Sequence, residues 1–96
     1  MKNIYCLKNL ADAQEFLRDN PQIVALTNNP GSTRYYGILV LDNIFKKLQK
    51  EFSHIITIIV NVEDDHAALF TAIKLGYKSI IYTGNSQEAQ RLISSL

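Results

Sequence analysis

Apolar segments of strand length alternate four times with segments of helical spacing along this chain. The strand-like segments are rich in β-branched residues, and the segments between them repeat apolar residues every three or four positions. Strands that alternate with helices in this way are typical of βα units joined into a parallel sheet. The predicted strands are 3–7, 23–26, 54–62 and 79–83.

This alternation predicts an α/β fold. The 96 residues suffice for a single domain with one core. We expect a three-layer domain with a four-stranded parallel sheet and (βα)4 connectivity, in which right-handed crossovers place helices on both faces. The expected strand order is the flavodoxin-like order 2-1-3-4. A half-barrel of four βα units, which needs a second copy to close, is the alternative.

Capping residues predict where the helices begin and end. Asn9 is a typical N-cap for the first helix, and the loop 27–32 leads into a long second helix that ends near Phe52. Gly76 closes the third helix as a left-handed residue. The segment 85–88 resembles a capping box and opens the last helix.

Composition and charge exclude several classes of partner. Ten basic and nine acidic residues give a net charge of +1, which indicates neither a nucleic-acid partner nor a membrane surface. The only cysteine, Cys6, cannot form an internal disulfide, so a reducing compartment is the simpler assumption. Its place within an apolar strand predicts a buried, inert thiol. With no apolar run of signal or membrane-spanning length, a cytoplasmic location is expected.

Ligands of parallel α/β proteins bind at the carboxyl ends of the strands, where loops and helix N-termini meet. In this chain the rule selects the segments 8–9, 28–34, 61–66 and 83–86. With the order 2-1-3-4, segment 8–9 would lie beside segment 61–66 and segment 28–34 would lie on the flank.

The loop after the second strand predicts a site for a small anion. Backbone N–H groups, two hydroxyls and a guanidinium at the start of a helix suit a phosphate or a carboxylate. The alternative is a Pro-Gly turn followed by a Ser or Thr cap with no ligand. The candidate ligand-binding residues are Asn28, Asn29, Gly31, Ser32, Thr33, Arg34, Asp64 and His66.

The run Asp64-Asp65-His66 carries the residue types of a metal site. However, successive residues of a helix diverge by about 100°, so these three side chains cannot converge on one ion. Acidic residues in the first turn of a helix are explained by the helix dipole. We therefore predict neither a metal nor a cofactor.

A second apolar face on the long helix predicts self-association. One stripe, which includes Leu41 and Phe45, is expected to face the sheet. A surface helix usually keeps its other side polar, and an exposed apolar cluster usually has a partner. The predicted homodimer interface consists of Tyr36, Leu39, Val40 and Asn43. The alternative is that a neighbouring loop or Tyr35 covers this patch.

Three segments carry a resemblance to a known group of proteins: 9–13 (Asn-Leu-Ala-Asp-Ala), 29–31 (Asn-Pro-Gly) and 64–76, which is rich in Asp and Ala and ends in glycine. In order and spacing they resemble a group of small uncharacterised bacterial α/β proteins. The resemblance covers most of the chain and implies an α/β fold and a bacterial, cytoplasmic setting, without an established activity. That group often has a cysteine and a glycine after the third strand, near the places where Val62 and Glu63 stand here.

Two functional hypotheses follow. The preferred one is a non-catalytic binding or regulatory module that forms a homodimer and binds a small anion at the 28–34 loop. The alternative is a small enzyme whose site, made of Asn28, Arg34, Asn61, Asp64 and His66, is completed across a dimer interface. Pairing of His66 with an acid from another segment would favour the enzyme, because a catalytic histidine needs an orienting partner.

Overall fold

The computed structural model describes residues 3–35 and 37–96 of the chain. Tyr36, which belongs to the predicted interface, lies outside the described residues. The elements, in chain order, are β1 (Ile4–Leu7), α1 (Leu10–Asp19), β2 (Ala25–Asn28), α2 (Ser32–Tyr35), α3 (Ile38–Glu51), β3 (Thr57–Glu63), α4 (His66–Lys74), β4 (Ser79–Tyr82) and α5 (Gln87–Ser94). None of the described helices is long and apolar enough to cross a membrane.

The predicted caps at Asn9 and Gly76 are confirmed, and α5 begins within the predicted segment 85–88. The Asn9 side chain accepts a hydrogen bond of 2.8 Å from the Asp12 N–H at the start of α1. Ser86 accepts one of 3.2 Å from the Ala89 N–H at the start of α5. Gly76 follows α4 with a φ of 95°, which only glycine adopts without strain.

All four strands are parallel and lie in the order β1-β2-β3-β4. The predicted parallel α/β sheet with alternating helices is therefore confirmed, whereas the order 2-1-3-4 is wrong. Each βα unit here returns to the neighbouring position, always in the same direction along the sheet. This is the connectivity of the half-barrel alternative. Both orders satisfy the right-handed crossover rule, so the βα pattern cannot distinguish them.

The sequential order changes the number of layers. Right-handed crossovers that all advance in one direction place every helix on the same face of the sheet. Accordingly, α1 packs on α3 and α3 packs on α4, and residues of α1, α3, α4 and α5 share one core with the strands. The predicted three layers are therefore two. Phe45, Leu48 and Leu69 are fully buried at the centre of this core.

The strand register separates the two faces of the sheet. Tyr5, Leu26 and Ile58 form one row across β1, β2 and β3 and belong to the core or pack against it. The alternating residues form the opposite face, and in the described part of the chain no element packs on that face. We call it the open face; it consists of Ile4, Cys6, Ala25, Thr27, Thr57, Ile59, Asn61, Ser79 and Ile81.

The segment after β2 differs from the prediction in two ways. Thr27 and Asn28, expected in a loop, continue β2, because Asn28 pairs with Leu7 in the sheet and its side chain binds the β3 backbone. The expected long helix is divided by Gly37, whose φ is 79°. A residue in the left-handed region cannot continue a right-handed helix, so α2 and α3 are separate helices.

The end of β3 contains an irregularity at Glu63. The pairing with β4 shifts between Asn61 and Glu63, and Glu63 has a φ of 49°. A positive φ is uncommon for a residue with a side chain and is adopted readily by glycine.

Candidate functional site

Three of the four predicted loop segments meet at the carboxyl edge of the sheet around the end of β2. Because β2 lies between β1 and β3, segment 28–34 is central and contacts segment 61–66 directly. The expectation that segments 8–9 and 61–66 are neighbours is therefore wrong. Segment 8–9 shares an open cavity of about 440 Å³ with Asn29, Pro30 and Ser32 instead.

Asn28 joins the ends of β2 and β3. Its side-chain N–H donates to the Asn61 carbonyl at 2.8 Å, and its side-chain carbonyl accepts from the Asn61 N–H at 2.8 Å. The same amide nitrogen lies 2.8 Å from Ser32 Oγ. Only 1% of Asn28 is exposed. Asn28 is therefore a buried brace between two strands, and its role in ligand binding stays a prediction.

Internal hydrogen bonds also occupy much of the 28–34 loop. The Ser32 N–H donates to the Asn29 carbonyl at 3.1 Å, and the Arg34 N–H donates to the Gly31 carbonyl at 3.0 Å. The Ser32 hydroxyl donates to the Asn29 carbonyl at 2.7 Å, and Ser32 and Thr33 are both buried. The helix that follows, α2, is a single turn of four residues, so its dipole is small. These features match the Pro-Gly turn of the alternative interpretation. They do not show its Ser cap, because Ser32 lies within α2 and its hydroxyl donates to the Asn29 carbonyl.

Arg34 is held by two carboxylates of the neighbouring loop. Its guanidinium lies 2.5 Å from Asp64 Oδ1 and 3.3 Å from Glu63 Oε2. The hydrogen bond and the charge of Arg34 hold the pKa of Asp64 below its usual value, and the same contact raises the pKa of Arg34. The pairs are exposed to solvent, so they contribute little to stability. Their main effect is to neutralise the one cation of the 28–34 loop.

Asp65 and His66 have different roles at the start of α4. Asp65 Oδ1 accepts from the Ala68 N–H at 3.1 Å as the N-cap, and Asp65 Oδ2 lies 3.4 Å from the Thr33 hydroxyl. The His66 ring nitrogen Nε2 lies 2.5 Å from the Tyr82 hydroxyl at the end of β4. His66 is thus paired across the sheet edge with a phenol, and not with the acid that the enzyme hypothesis required.

Within residues 3–35 and 37–96, no three His, Cys, Asp or Glu side chains are grouped closely enough to hold a metal ion. Cys6 differs from the prediction of a buried thiol: it is exposed on the open face, at the edge strand β1. Its thiol donates to Asn29 Oδ1 at 2.8 Å. Partial burial raises the pKa of the Cys6 thiol, which favours the protonated, unreactive form.

The described members of the predicted interface lie together on α3. Leu39 and Val40 are 60% and 45% exposed, and Asn43 beside them is also exposed. The residues of the other stripe, such as Leu41 and Phe45, are buried against the sheet. The division of α3 into a core-facing stripe and an exposed apolar patch therefore follows the helical spacing.

Two buried or half-buried polar contacts were not anticipated from the sequence. Asp42 on α3 is only 5% exposed, and it accepts a hydrogen bond of 2.5 Å from the Tyr77 hydroxyl. Lys46 reaches the other carboxylate oxygen at 2.9 Å. Burial of the Tyr77 hydroxyl raises its pKa well above the usual value, and the hydrogen bond to Asp42 and the charge of Asp42 raise it further. On a helix, a spacing of four residues indicates that Asp42 and Lys46 can form an ion pair. No such pattern predicts the contact of Asp42 with Tyr77, because the two residues are 35 positions apart in the chain.

Fold and site together define a two-layer α/β protein with a sequential four-stranded parallel sheet, one open sheet face and an internally bonded carboxyl edge. The chain is 52% identical over 97 aligned positions to the uncharacterized protein RP547 of Rickettsia prowazekii (strain Madrid E). The alignment covers 100% of this chain and 92% of that protein. The chain therefore belongs to the family of this small bacterial protein. No family model and no solved structure matches the chain.

Proposed function

We propose that this protein is a non-catalytic binding or regulatory module that acts as a homodimer, in which a second copy covers the open face of the sheet. The observation that carries the proposal is the open face itself. All-parallel sheets occur almost only with both faces covered. Here helices cover one face, whereas on the other Ile81 is 42% exposed and Ile4 and Ile59 are only half-buried.

The composition of the open face supports a partner that is apolar and uncharged. Its nine residues include three isoleucines, and none of the nine carries a formal charge. Burial of such a face costs no desolvation of ions, and each buried Ile contributes about 1.5–3 kcal/mol relative to full exposure. Two copies of the same face bring no like charges together, so a second copy of this chain fits the chemistry.

The carboxyl edge supports a structural role in place of catalysis. Asn28 braces two strands, Asp65 caps α4, and Arg34 is paired with Glu63 and Asp64. A general acid or base must reach a substrate, and a nucleophile needs an activating base. The polar groups at this edge are instead directed at one another.

Sedimentation equilibrium over a wide range of protein concentration tests the proposal. We expect the wild type to be a dimer, and we expect Ile81→Lys to shift it to monomer because the substitution places a charge on the open face. Val40→Lys introduces the same charge on the exposed patch of α3 and is the matched variant. Circular dichroism of both variants establishes that they fold.

The outcomes separate the two surfaces. If Val40→Lys dissociates the dimer and Ile81→Lys does not, self-association proceeds through the α3 patch of Leu39, Val40 and Asn43 that the sequence predicts. If the wild type is a monomer at every concentration, the proposal of a homodimer is wrong.

Anion binding at the 28–34 loop stays a prediction, and the electrostatics of the loop oppose it. Glu63 and Asp64 neutralise Arg34, and Asp65 adds a further negative charge nearby. We therefore expect inorganic phosphate to leave the melting temperature of the wild type unchanged. A rise that is lost in Arg34→Ala would instead establish the loop as an anion site.

A further inference from the structure

We propose that the homodimer is a closed barrel of eight parallel strands, in which β4 of each copy pairs with β1 of the other. The inference rests on the proposed homodimer and specifies its geometry. It follows from four features of the chain: the sequential strand order, the helix α5 after the last strand, the side chains of the open face, and the complementary grooves at the two edges of the sheet.

The strand order supplies the topology of such a barrel. A (βα)8 barrel has eight parallel strands in sequential order, each followed by a helix on the outside. This chain has four such strands in that order, with β1 and β4 at the edges. A two-fold axis along the barrel axis pairs β4 of each copy with β1 of its partner and leaves every strand parallel. Because both edges are used, the assembly closes at two copies and does not grow into a filament.

The helix α5 fits this topology. It follows β4 as a crossover helix would, and the described residues contain no fifth strand for it to precede. Only Ala89 of α5 is fully buried, while Leu92 and Ile93 are half-buried and Leu96 beyond it is 43% exposed. In the barrel, α5 lies over the seam between β4 and the partner's β1, where these apolar side chains gain cover.

The open face has the residues that a barrel interior requires. The interior of an eight-stranded barrel is just wide enough to be filled by side chains and is dominated by β-branched residues. Row by row, the open face presents Ile4, Ala25 and Thr57, then Cys6, Thr27, Ile59 and Ser79, then Asn61 and Ile81. These side chains are small or of medium size, and none is aromatic or charged.

The two edges of the sheet carry complementary charges. Beside β1, an open groove of about 440 Å³ is lined by Tyr5 and Phe16, whose rings stack at 4.6 Å, and by the acids Asp12, Glu15 and Asp19 together with Lys8. At the other edge, a groove along α5 is lined by neutral polar residues and Arg91. The barrel places α5 of one copy beside α1 of its partner. Arg91 then faces an acidic and aromatic groove.

Closure also changes the carboxyl edge. With the two-fold axis parallel to the strands, the carboxyl ends of all eight strands lie on one rim. The 28–34 and 61–66 loops of both copies then surround a single opening, so each copy supplies half of the rim.

Reversal of the charge at the seam tests the edge-to-edge contact. Arg91→Glu places like charges against the acidic groove, and we expect the dissociation constant of the dimer to rise at least about tenfold. Lys47→Glu, on the exposed side of α3, makes the same change in net charge away from the seam and is the control. Sedimentation equilibrium measures both variants.

Hydrogen exchange of the wild type tests the barrel without any substitution. The backbone amides of β1 (Ile4–Leu7) and β4 (Ser79–Tyr82) that point away from β2 and β3 exchange fast in a monomer with free edges. In the closed barrel they donate to the partner's strand, so we expect their protection to increase with protein concentration as dimer forms.

The outcomes are distinguishable from those of the proposed function. A dimer with fast-exchanging outward amides in β1 and β4, or one that Arg91→Glu weakens no more than Lys47→Glu does, would overturn the barrel and leave the homodimer intact. Polydisperse assemblies larger than two copies would show edge pairing without closure and would also overturn it. A monomer at every concentration would overturn both proposals.

Discussion

At the scale of single residues, Asn28 illustrates how a polar side chain can mimic a strand. It exchanges two hydrogen bonds with the backbone of Asn61, as a residue of a paired strand does with its main chain. The contact is buried, so its loss leaves the Asn61 N–H and carbonyl without their partner. A hydrogen bond of this kind is stabilising mainly because its absence is costly.

We expect Asn28→Ala to lower the free energy of unfolding by about 1–3 kcal/mol, since it leaves buried polar groups without partners. Asn29→Ala, in the same loop but at an exposed side chain, is the control and should change stability far less. Urea denaturation followed by circular dichroism measures both. Equal losses for the two variants would contradict the role of Asn28 as a brace.

Tyr77 and Asp42 form the other buried polar contact, and its energetics depend on pH. Tyr77→Phe leaves the buried Asp42 carboxylate with Lys46 alone, and we expect a loss of about 1–3 kcal/mol near neutral pH. Tyr5→Phe removes a hydroxyl for which the described residues offer no hydrogen bond, and serves as the control. Urea unfolding midpoints of the two variants and the wild type provide the comparison.

The raised pKa of Tyr77 determines the sign of the pH effect. Because the folded protein holds the phenol protonated, its contribution is fully present below the unfolded pKa of about 10 and declines as the pH rises towards the folded pKa. The stability difference between wild type and Tyr77→Phe should therefore be constant up to about pH 10 and narrow above it. A difference that widens in alkali would contradict this assignment.

At the scale of secondary-structure elements, α4 depends on its N-cap. Asp65 accepts from the Ala68 N–H and also contacts Thr33, so it fixes both the start of α4 and its distance from α2. We expect Asp65→Ala to cost about 0.5–2 kcal/mol and Asp65→Asn, which still caps the helix, to cost less. Thermal denaturation distinguishes them; equal effects of Ala and Asn would argue against the cap.

The elements also show where local signals are sufficient. The cap at Asn9 and the left-handed Gly76 were predicted correctly, because each depends on residues within one turn of the chain. The start of α5 was predicted within the segment 85–88, and its N-cap is Ser86. The end of β2 was not predicted correctly. Asn28 belongs to the strand because it contacts Asn61, which is 33 residues away in the chain. Gly37 is a residue type that can interrupt a helix, but the apolar periodicity on both sides of it indicated one continuous helix.

At the scale of the whole molecule, the proposed dimer should be visible in thermal stability. A partner that binds only the folded state raises the melting temperature as its concentration increases. We therefore expect the melting temperature of the wild type to rise with protein concentration and that of Ile81→Lys to stay constant. Differential scanning calorimetry at several concentrations measures both. A wild-type melting temperature independent of concentration would contradict the dimer.

The candidate site shows the limit of prediction from the sequence. The rule that loops gather at the carboxyl edge placed segments 28–34 and 61–66 on the same edge correctly, because it depends only on parallel strands. Their direct contact was not predicted, because the expected strand order put segment 8–9 between them. The rule does not predict which groups these side chains contact. Arg34 pairs with Glu63 and Asp64 because β3 lies next to β2. The alternation of strands and helices in the sequence does not determine which strand lies next to β2.

The sequence by itself determined the βα alternation, the parallel sheet, most caps and the apolar stripe of α3, because these follow from periodicity and from contacts within a few residues. Only the tertiary structure decided the strand order, and with it the two layers, the open face and the pairing of Arg34. The physical reason is that right-handed crossovers permit a βα unit to return on either side of the growing sheet. The choice is made by contacts between residues far apart in the chain, to which local patterns are insensitive.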